Sequence, residues 1–320
     1  MTLKKRTYTG ASELFGIADI TMICVCFLWG LGSVINKNAL GDDPESFRVF
    51  VYSGIRLTAA AIFMFIAAKC FGASMAIRRE HWFNFFVLSF FGIFPHFATS
   101  MLGLSYTSAS NMGVIFATVP FLILILSFFS KIEKPTEALV VGIFIGMLGM
   151  IIMSINEASI KFNSGDALVF LSCLFWAVYT VYGKEVLKHY HPMTASAWIF
   201  LLASIFHLPL TIYQLPGQEW TRVSPENWFN LIFGTVFALF LSNVLYYYSI
   251  KKIGPIRSGL YTNLEPVFTL ILANLIRAEI ITAEKIAGLL LIFIGIGVTK
   301  YPFVKGKPEN RVYCGKNTNN

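Results

Sequence analysis

The chain is 320 residues long, 56% hydrophobic and 13% charged, with a formal net charge of +8 and a mean hydropathy of +0.67. A soluble domain carries roughly 25% charged residues, and hiding this much apolar surface from water needs a larger core than a chain of this length can wrap. A soluble enzyme and a nucleic-acid-binding domain are excluded as first readings, and the basic excess is what the cytoplasmic loops of a membrane protein supply.

A helix needs about 20 mostly apolar residues to cross the hydrocarbon core. Ten stretches meet that requirement in chain order: 17–37, 47–68, 83–104, 110–130, 137–155, 165–187, 194–214, 227–250, 256–276 and 284–303. Gly41-Asp42-Asp43-Pro44 separates spans 1 and 2, and Lys131-Ile132-Glu133-Lys134-Pro135 separates spans 4 and 5. Pro216-Gly217 and Ser224-Pro225 bound the connection after span 7, since such pairs punctuate helices. The division between spans 3 and 4, around Ser105–Ser110, is the least marked.

Lys and Arg alternate between connections. The N-terminus, the even connections and the tail hold 18, the odd connections hold four, and Lys37, Arg48 and Arg56 lie within or at the ends of spans. That bias places both termini in the cytoplasm, and it agrees with ten spans, because one missed crossing would invert everything after it. The basic N-terminus precedes a run too long for a signal-peptide core, with no small-residue cleavage site following. The cysteines at 24, 26, 70, 173 and 314 form no CxxC and read as free thiols.

The chain aligns with itself at an offset of 146–147. Leu28-Trp29-Gly30 matches Phe175-Trp176-Ala177, Lys37 matches Lys184, and His81-Trp82-Phe83-Asn84 matches Asn227-Trp228-Phe229-Asn230. Pro120 matches Pro266, Glu133 matches Glu279, Gly142 matches Gly288, and Gly149 matches Gly295. A collinear series of this kind indicates duplication. Five spans per half is an odd number, so the second half enters the membrane from the opposite side. Inverted repeats of this kind build secondary transporters that rock about a midplane site.

The run Gly103-Leu104-Ser105-Tyr106-Thr107-Ser108-Ala109-Ser110, then Pro120, Glu133, Gly142 and Gly149, resembles the EamA repeat of the drug/metabolite transporter superfamily. So do Gly254, Pro266, Glu279, Gly288 and Gly295, and Gly165-Asp166 before Phe175-Trp176-Ala177 resembles the opening of that family's second repeat. The resemblance covers roughly residues 17–300. It implies an all-α membrane protein of ten transmembrane helices, with spans 1–4 and 6–9 around a central cavity and spans 5 and 10 peripheral. The organisation expected is a cytoplasmic segment (1–16), a first five-helix EamA repeat (17–155), an inverted second repeat (165–303) and a polar tail (304–320) read as disordered.

Polar groups at membrane depth turn inward because exposure to lipid is costly. At 100° per residue, Ser258, Tyr261, Thr262, Glu265 and Thr269 share one face of span 9, while Tyr52, Ser53, Arg56, Ala59 and Ala60 share one face of span 2. Span 1 offers Cys26, Trp29, Gly32, Ser33 and Asn36, and span 6 repeats this with Cys173, Trp176, Tyr179, Thr180 and Gly183. Span 3 offers Ser89, Gly92, His96, Thr99, Ser100 and Gly103. Span 8 offers Thr235, Ser242, Tyr246 and Ser249, with Asn243 adjacent.

Small residues such as Gly32, Gly92 and Ala59 fit close helix packing. Arg56 and Glu265 are the clear mid-span charges, and a charge near the bilayer centre costs at least about 2.5–3.5 kcal/mol on insertion scales. They form either a structural ion pair or a ligand or proton site. His96 reads either as a satisfied core histidine or as a proton or ligand site, and His207 as structural. Trp29 and Trp176 sit mid-span, either as packing or as walls for a flat or cationic substrate. Pro120 and Pro266 are paired interruptions, the sequence pointer to a hinge.

No HExxH, GxSxG or P-loop is present, so the chain is not read as an enzyme. The expectation is a secondary transporter of the plasma (inner) membrane working by alternating access on a small organic metabolite, an amino acid or a derivative of one. Arg56 would meet a carboxylate, and Glu265 an ammonium or a coupling proton. Trp29, Trp176, His96, Tyr179, Tyr261, Tyr246, Asn36 and Asn243 would line the site. A nucleoside-type or sulfonium metabolite such as S-adenosylmethionine, or a lipophilic cation drug, is the alternative cargo. A multi-pass membrane enzyme and a channel are the readings from other classes. No cofactor is expected beyond a coupling proton. The partners are the substrate and the bilayer, not nucleic acid, with a homodimer left open.

Overall fold

The computed structural model describes residues 16–36, 39, 45–107, 112, 115–154, 163–277 and 282–299. Every element among them is helical. The first half contains α1 (Ile17–Asn36), α2 (Val49–Cys70), α3 (Trp82–Leu88), α4 (Phe94–Tyr106), α5 (Val119–Ser130) and α6 (Glu137–Ser154). The second contains α7 (Ser164–Leu187), α8 (Pro192–Gln214), α9 (Pro225–Thr235), α10 (Ser242–Ile253), α11 (Pro255–Tyr261), α12 (Leu264–Arg277) and α13 (Ala283–Val298).

Five helical rods among the described residues are long and apolar enough to cross a membrane: Val49–Cys70, Arg79–Gly103, Ser164–Leu187, Pro192–Gly217 and Pro225–Ile253. Shorter apolar helices run over Ile17–Gly32, Val119–Ser130 and Glu137–Met153. The outward faces bear large apolar side chains, such as Ile62, Phe63 and Ile66 on α2. Water would reject such a surface, and lipid accepts it.

Two rods contain a π turn. Ser89–Ile93 joins α3 to α4, and Val236–Leu241 joins α9 to α10. Their starts are 147 residues apart, the repeat offset. Such bulges recur at functional sites, because one extra residue re-aims the side chains that follow.

Spans 4 and 9, expected as single helices, are not continuous. A turn at Ala117–Thr118 precedes α5, and one at Thr262–Asn263 separates α11 from α12. Pro120 and Pro266 each fall in the first turn of the restarted helix. Proline's missing N–H is not felt there, because first-turn N–H groups have no intrahelical acceptor. Thr118 Oγ1 donates to Ile115 O and Thr262 Oγ1 to Gly259 O, both at 2.7 Å, so the same side-chain bond closes both breaks.

The packing pairs elements across the two halves. α1 lies on α12 and α10, while α7 lies on α5 and α4; α2 packs on α8, and α6 on α13. The last pair is a backbone contact. A Cβ on Gly142 would stand 2.5 Å from Gly295 O, and one on Gly149 2.6 Å from Gly288 O.

α7 starts with a capping box. Asn163 Oδ1 accepts from Asp166 N at 3.0 Å, and Asp166 Oδ2 accepts from Asn163 N at 2.9 Å. The Thr107 hydroxyl donates to Asp166 as well, tying the end of α4 to the start of α7. Asn163→Ala should cost about 1 kcal/mol. Faster hydrogen exchange confined to the first-turn amides of α7 is the measurement that checks it.

Candidate functional site

The π turns and the long helices deliver one aromatic cluster. Trp29 of α1 meets Trp176 of α7 edge-on, with ring centroids 5.5 Å apart, and Tyr246 of α10 lies 5.3 Å from Trp29 and 5.5 Å from Trp176. Trp176 also touches Tyr179 at 5.2 Å and His96 at 4.9 Å. Edge-on and offset arrangements suit the ring quadrupoles.

Polar groups fix the rings in place. Trp29 Nε1 donates to Ser242 Oγ at 2.9 Å, the first residue after the second π turn. His96 Nδ1 bonds Ser172 O at 3.0 Å. A carbonyl only accepts, so Nδ1 carries the proton and Nε2 is the acceptor. Tyr246 and Thr180 hydroxyls pair at 2.9 Å, and Tyr179 OH donates to Asn243 Oδ1 at 3.4 Å. Asn243 Nδ2 is anchored on Leu239 O at 2.8 Å. Trp29 and Trp176 are 147 residues apart, and so are His96 and Asn243. Those two pairs are equivalent positions of the two halves, while Tyr179 and Tyr246 come from the second half alone, where the first has Gly32 and Thr99.

Six of the side chains expected at the site thus come together: Trp29, Trp176, His96, Tyr179, Tyr246 and Asn243. Glu265 lies on the helix packed beside Trp29: a Cβ on Gly30 would meet its backbone carbonyl at 3.0 Å. Arg56 stands apart. Its Nη2 donates to Gly234 O at 3.0 Å, its guanidinium lies 5.1 Å from the Tyr52 ring, and its Nε has no hydrogen-bond partner. Gly234 precedes Ser242 by eight residues on one rod, about 12 Å along the axis at helical rise. Arg56 and Glu265 do not pair with each other. Tyr261 is also elsewhere, its hydroxyl donating to Asp19 Oδ1 at 2.8 Å. The side chain of Asn36 lies outside the described residues, as do Lys37, Glu279 and Cys314.

Other placements follow ordinary packing. A Cβ on Gly92 would stand 3.1 Å from Tyr179 Cβ, so its small size serves helix contact. His207 is buried and bonded to Ser53 Oγ and Thr211 Oγ1, both at 3.0 Å, a satisfied core histidine. Tyr247 was not on any polar stripe, yet it stacks on Tyr179 at 4.6 Å. It fits because position 183 is glycine, where a Cβ would stand 2.6 Å from the Tyr247 hydroxyl.

At one end of the bundle, Asp19 of α1 meets Arg257 of α11 at 3.0 Å. In the sequence Arg257 belongs to the basic connection before span 9, and Asp19 is on none of the polar stripes. The available signal is that Asp19 precedes Asp166 by the repeat offset of 147, within a match the Gly165-Asp166 pair could have extended. At the same end, Glu133 Oε2 accepts from Ile256 N at 3.1 Å, and Lys184 Nζ donates to Ile250 O at 2.9 Å. Burial pushes the Glu133 carboxyl above the usual carboxylate range, against the Ile256 N–H and Lys184.

The EamA-like transporter family matches the chain twice, over residues 16–155 and 163–301. YetK, an uncharacterized transporter of Bacillus subtilis (strain 168), is 25% identical over 288 residues, covering 88% of this chain and 86% of its own length. YoaV of the same organism, also an uncharacterized transporter, is 23% identical across 92% of this chain and 98% of itself. An uncharacterized transporter of Archaeoglobus fulgidus is 31% identical over 214 residues, 66% of this chain and 75% of its own. A solved crystal structure shares the fold with a TM-score of 0.74 at 15% identity, covering 88% of this chain and 96% of that one.

Proposed function

We propose, from the premise that this chain belongs to the EamA-like transporter family, that it is a secondary carrier of ten helices in two inverted repeats. A multi-pass membrane transporter, rather than an enzyme, is what the family and the relatives' names establish. The finer reading is ours: alternating access in the plasma (inner) membrane, both termini cytoplasmic, with an amino acid or a derivative of one as cargo.

One observation carries it. The aromatic cluster is built from repeat-equivalent positions, Trp29 with Trp176 and His96 with Asn243, at the meeting of the two halves. A site set where two similar halves meet can face either side with similar energy. The reciprocal packing, α1 on α12 and α7 on α5, supports the inversion. The separation of Arg56 from the cluster adds a refinement. A small amino acid would meet Arg56 and the cluster in succession, because about two helical turns separate Gly234 from Ser242.

Uptake by proteoliposomes against a metabolite panel, with and without a pH gradient, tests the reading. Saturable flux and counterflow of an amino acid are expected; flux showing neither would mean a channel. Glu265→Gln should keep counterflow and flatten the pH dependence, and an unchanged pH profile would end its proton role. A second reading is a sulfonium or nucleoside-type metabolite or a lipophilic cation, favoured by rings that attract cations. Transport of those alone, with no amino acid carried, would replace the first.

A further inference from the structure

α2 ends in a tight reversal. Ala73 N donates to Ala68 O at 2.8 Å and Gly72 N to Lys69 O at 3.2 Å. These are the paired bonds of a helix closed by a left-handed glycine, and Gly72 has φ +67°. The chain that follows is tied down to α8 and the turn before it. Thr194 Oγ1 donates to Ser74 O and Trp198 Nε1 to Met75 O, both at 2.9 Å, and Arg78 N donates to the Tyr190 hydroxyl at 3.0 Å. The last turns of α2 and this tied segment together line a recess of about 400 Å3, through Phe65, Ile66, Lys69, Gly72, Ala73 and Met75. A Cβ on Gly72 would meet nothing within 4 Å, so the recess is open at the reversal.

Three features say what such a recess takes. The first is depth. Phe65 of the lining meets Trp198 edge-on at 5.1 Å, and Trp198 meets Trp82 at 5.0 Å. Tryptophan collects at the level of the lipid headgroups, and the basic connection with Arg78 and Arg79 follows on the water side. The second is continuity with the lipid-facing surface. Ile66 is 55% exposed, and Ile62, one turn earlier on α2, is 51% exposed.

The third is charge. Lys69 is the one charged residue of the lining, and it is exposed. Among the described residues no carboxylate pairs with it. Glu80, the acid of this connection, is instead 3.7 Å from Arg78 and from His81. An apolar recess at headgroup depth with one uncompensated cation matches a molecule that has a hydrocarbon chain and an anionic head. Basic pockets of membrane proteins take acidic lipid headgroups in this way.

We propose that the recess is a binding site for an acidic phospholipid, its phosphate on Lys69 and one acyl chain laid along Ile66 and Ile62. The site shares no residue with the aromatic cluster and does not depend on the carrier reading.

The test uses full-length protein in a neutral detergent. Binding of phosphatidylglycerol and of phosphatidylcholine with the same acyl chains is measured by native mass spectrometry. The parent should favour phosphatidylglycerol by about fivefold, the contribution of one lysine at a membrane surface. Lys69→Gln should bring the two lipids level. Lys134→Gln, at an exposed lysine of another basic connection, should keep the parent's preference. Ala73→Phe, which fills the recess and leaves Lys69 in place, should also abolish the preference. Inorganic phosphate should not compete, because it lacks the chain. Equal binding of the two lipids by the parent overturns the site. So does an equal loss in Lys134→Gln, which means diffuse attraction to a basic surface. Competition by inorganic phosphate would make it an anion site without lipid, and an Ala73→Phe variant that binds like the parent would place the lipid elsewhere; either result overturns the proposal.

Discussion

Gly288→Val should lower the thermal midpoint of the purified protein by several degrees or more, whereas Gly297→Val should leave it unchanged. Both glycines lie in α13, Gly288 in its interior and Gly297 one residue from its end; valine is the better helix former at either place, so the difference comes from the surroundings. A Cβ on Gly288 would collide with Gly149 O and stand 2.9 Å from Met153 N; on Gly297 it would meet nothing within 4 Å. Backbone cannot step aside as a flexible side chain can, so α6 and α13 must part. Overpacking of this kind costs about 1–3 kcal/mol, occasionally more. Valine adds two methyl groups beyond the clashing Cβ, which puts it at the upper end. Membrane helices have little hydrophobic drive to associate and rely on close packing at small residues, so a lost contact is not recovered elsewhere. Tryptophan fluorescence during heating in detergent reads the effect, and equal midpoints for the two variants would remove the backbone contact as a source of stability.

Those glycines show why part of the fold was legible in the sequence. Gly142, Gly149, Gly288 and Gly295 recur at the repeat offset because each pair meets the other's backbone. Trp29 and Trp176 recur for a similar reason and meet at the centre. The span 3 stripe was also readable: Gly92, His96 and Gly103 all contact α7, at Tyr179, Ser172 and Val169.

The failures have a common cause. Assigning faces at 100° per residue assumes an unbroken helix, and that condition fails in spans 3, 4, 8 and 9, although in span 3 His96 still reaches the cluster beyond the π turn. The π turn at Val236–Leu241 shifts register, so Thr235 bonds Leu231 O within its own helix while Ser242 and Asn243 reach the cluster. The Thr262–Asn263 turn separates Tyr261 from Glu265, so the two side chains expected on one face serve different places. Paired prolines signalled the interruptions in spans 4 and 9, but no residue type announces a π turn. Asp19 escaped notice because one acidic residue in the first turn of a helix is ordinary dipole chemistry; its partner lies 238 positions away.

Arg56→Gln is expected to raise the half-saturating concentration of a carboxylate substrate by about ten- to a hundredfold, with little change in melting temperature. Arg56 is 9% exposed, and its contacts include the Gly234 carbonyl and the ring and hydroxyl of Tyr52. Neither carries a full negative charge, and its Nε has no hydrogen-bond partner. A buried cation so incompletely neutralised is expensive, and a ligand carboxylate would complete it with a charge-assisted bond. Hydrogen bonds to charged groups contribute about 1.5–3 kcal/mol, which converts at about 1.4 kcal/mol per decade to the stated loss. Glutamine ends two heavy atoms short of Nη2, so the single bond to Gly234 O is lost, a change of about 1 kcal/mol that is small beside the packing of α2 on α8. A purely structural Arg56 would give the opposite pattern, a lower melting temperature with unchanged half-saturation. The contrast between a substrate and its amide sharpens the test. The parent protein should prefer the acid, the Gln variant should treat both alike, and a variant that still prefers the acid would place the carboxylate contact elsewhere.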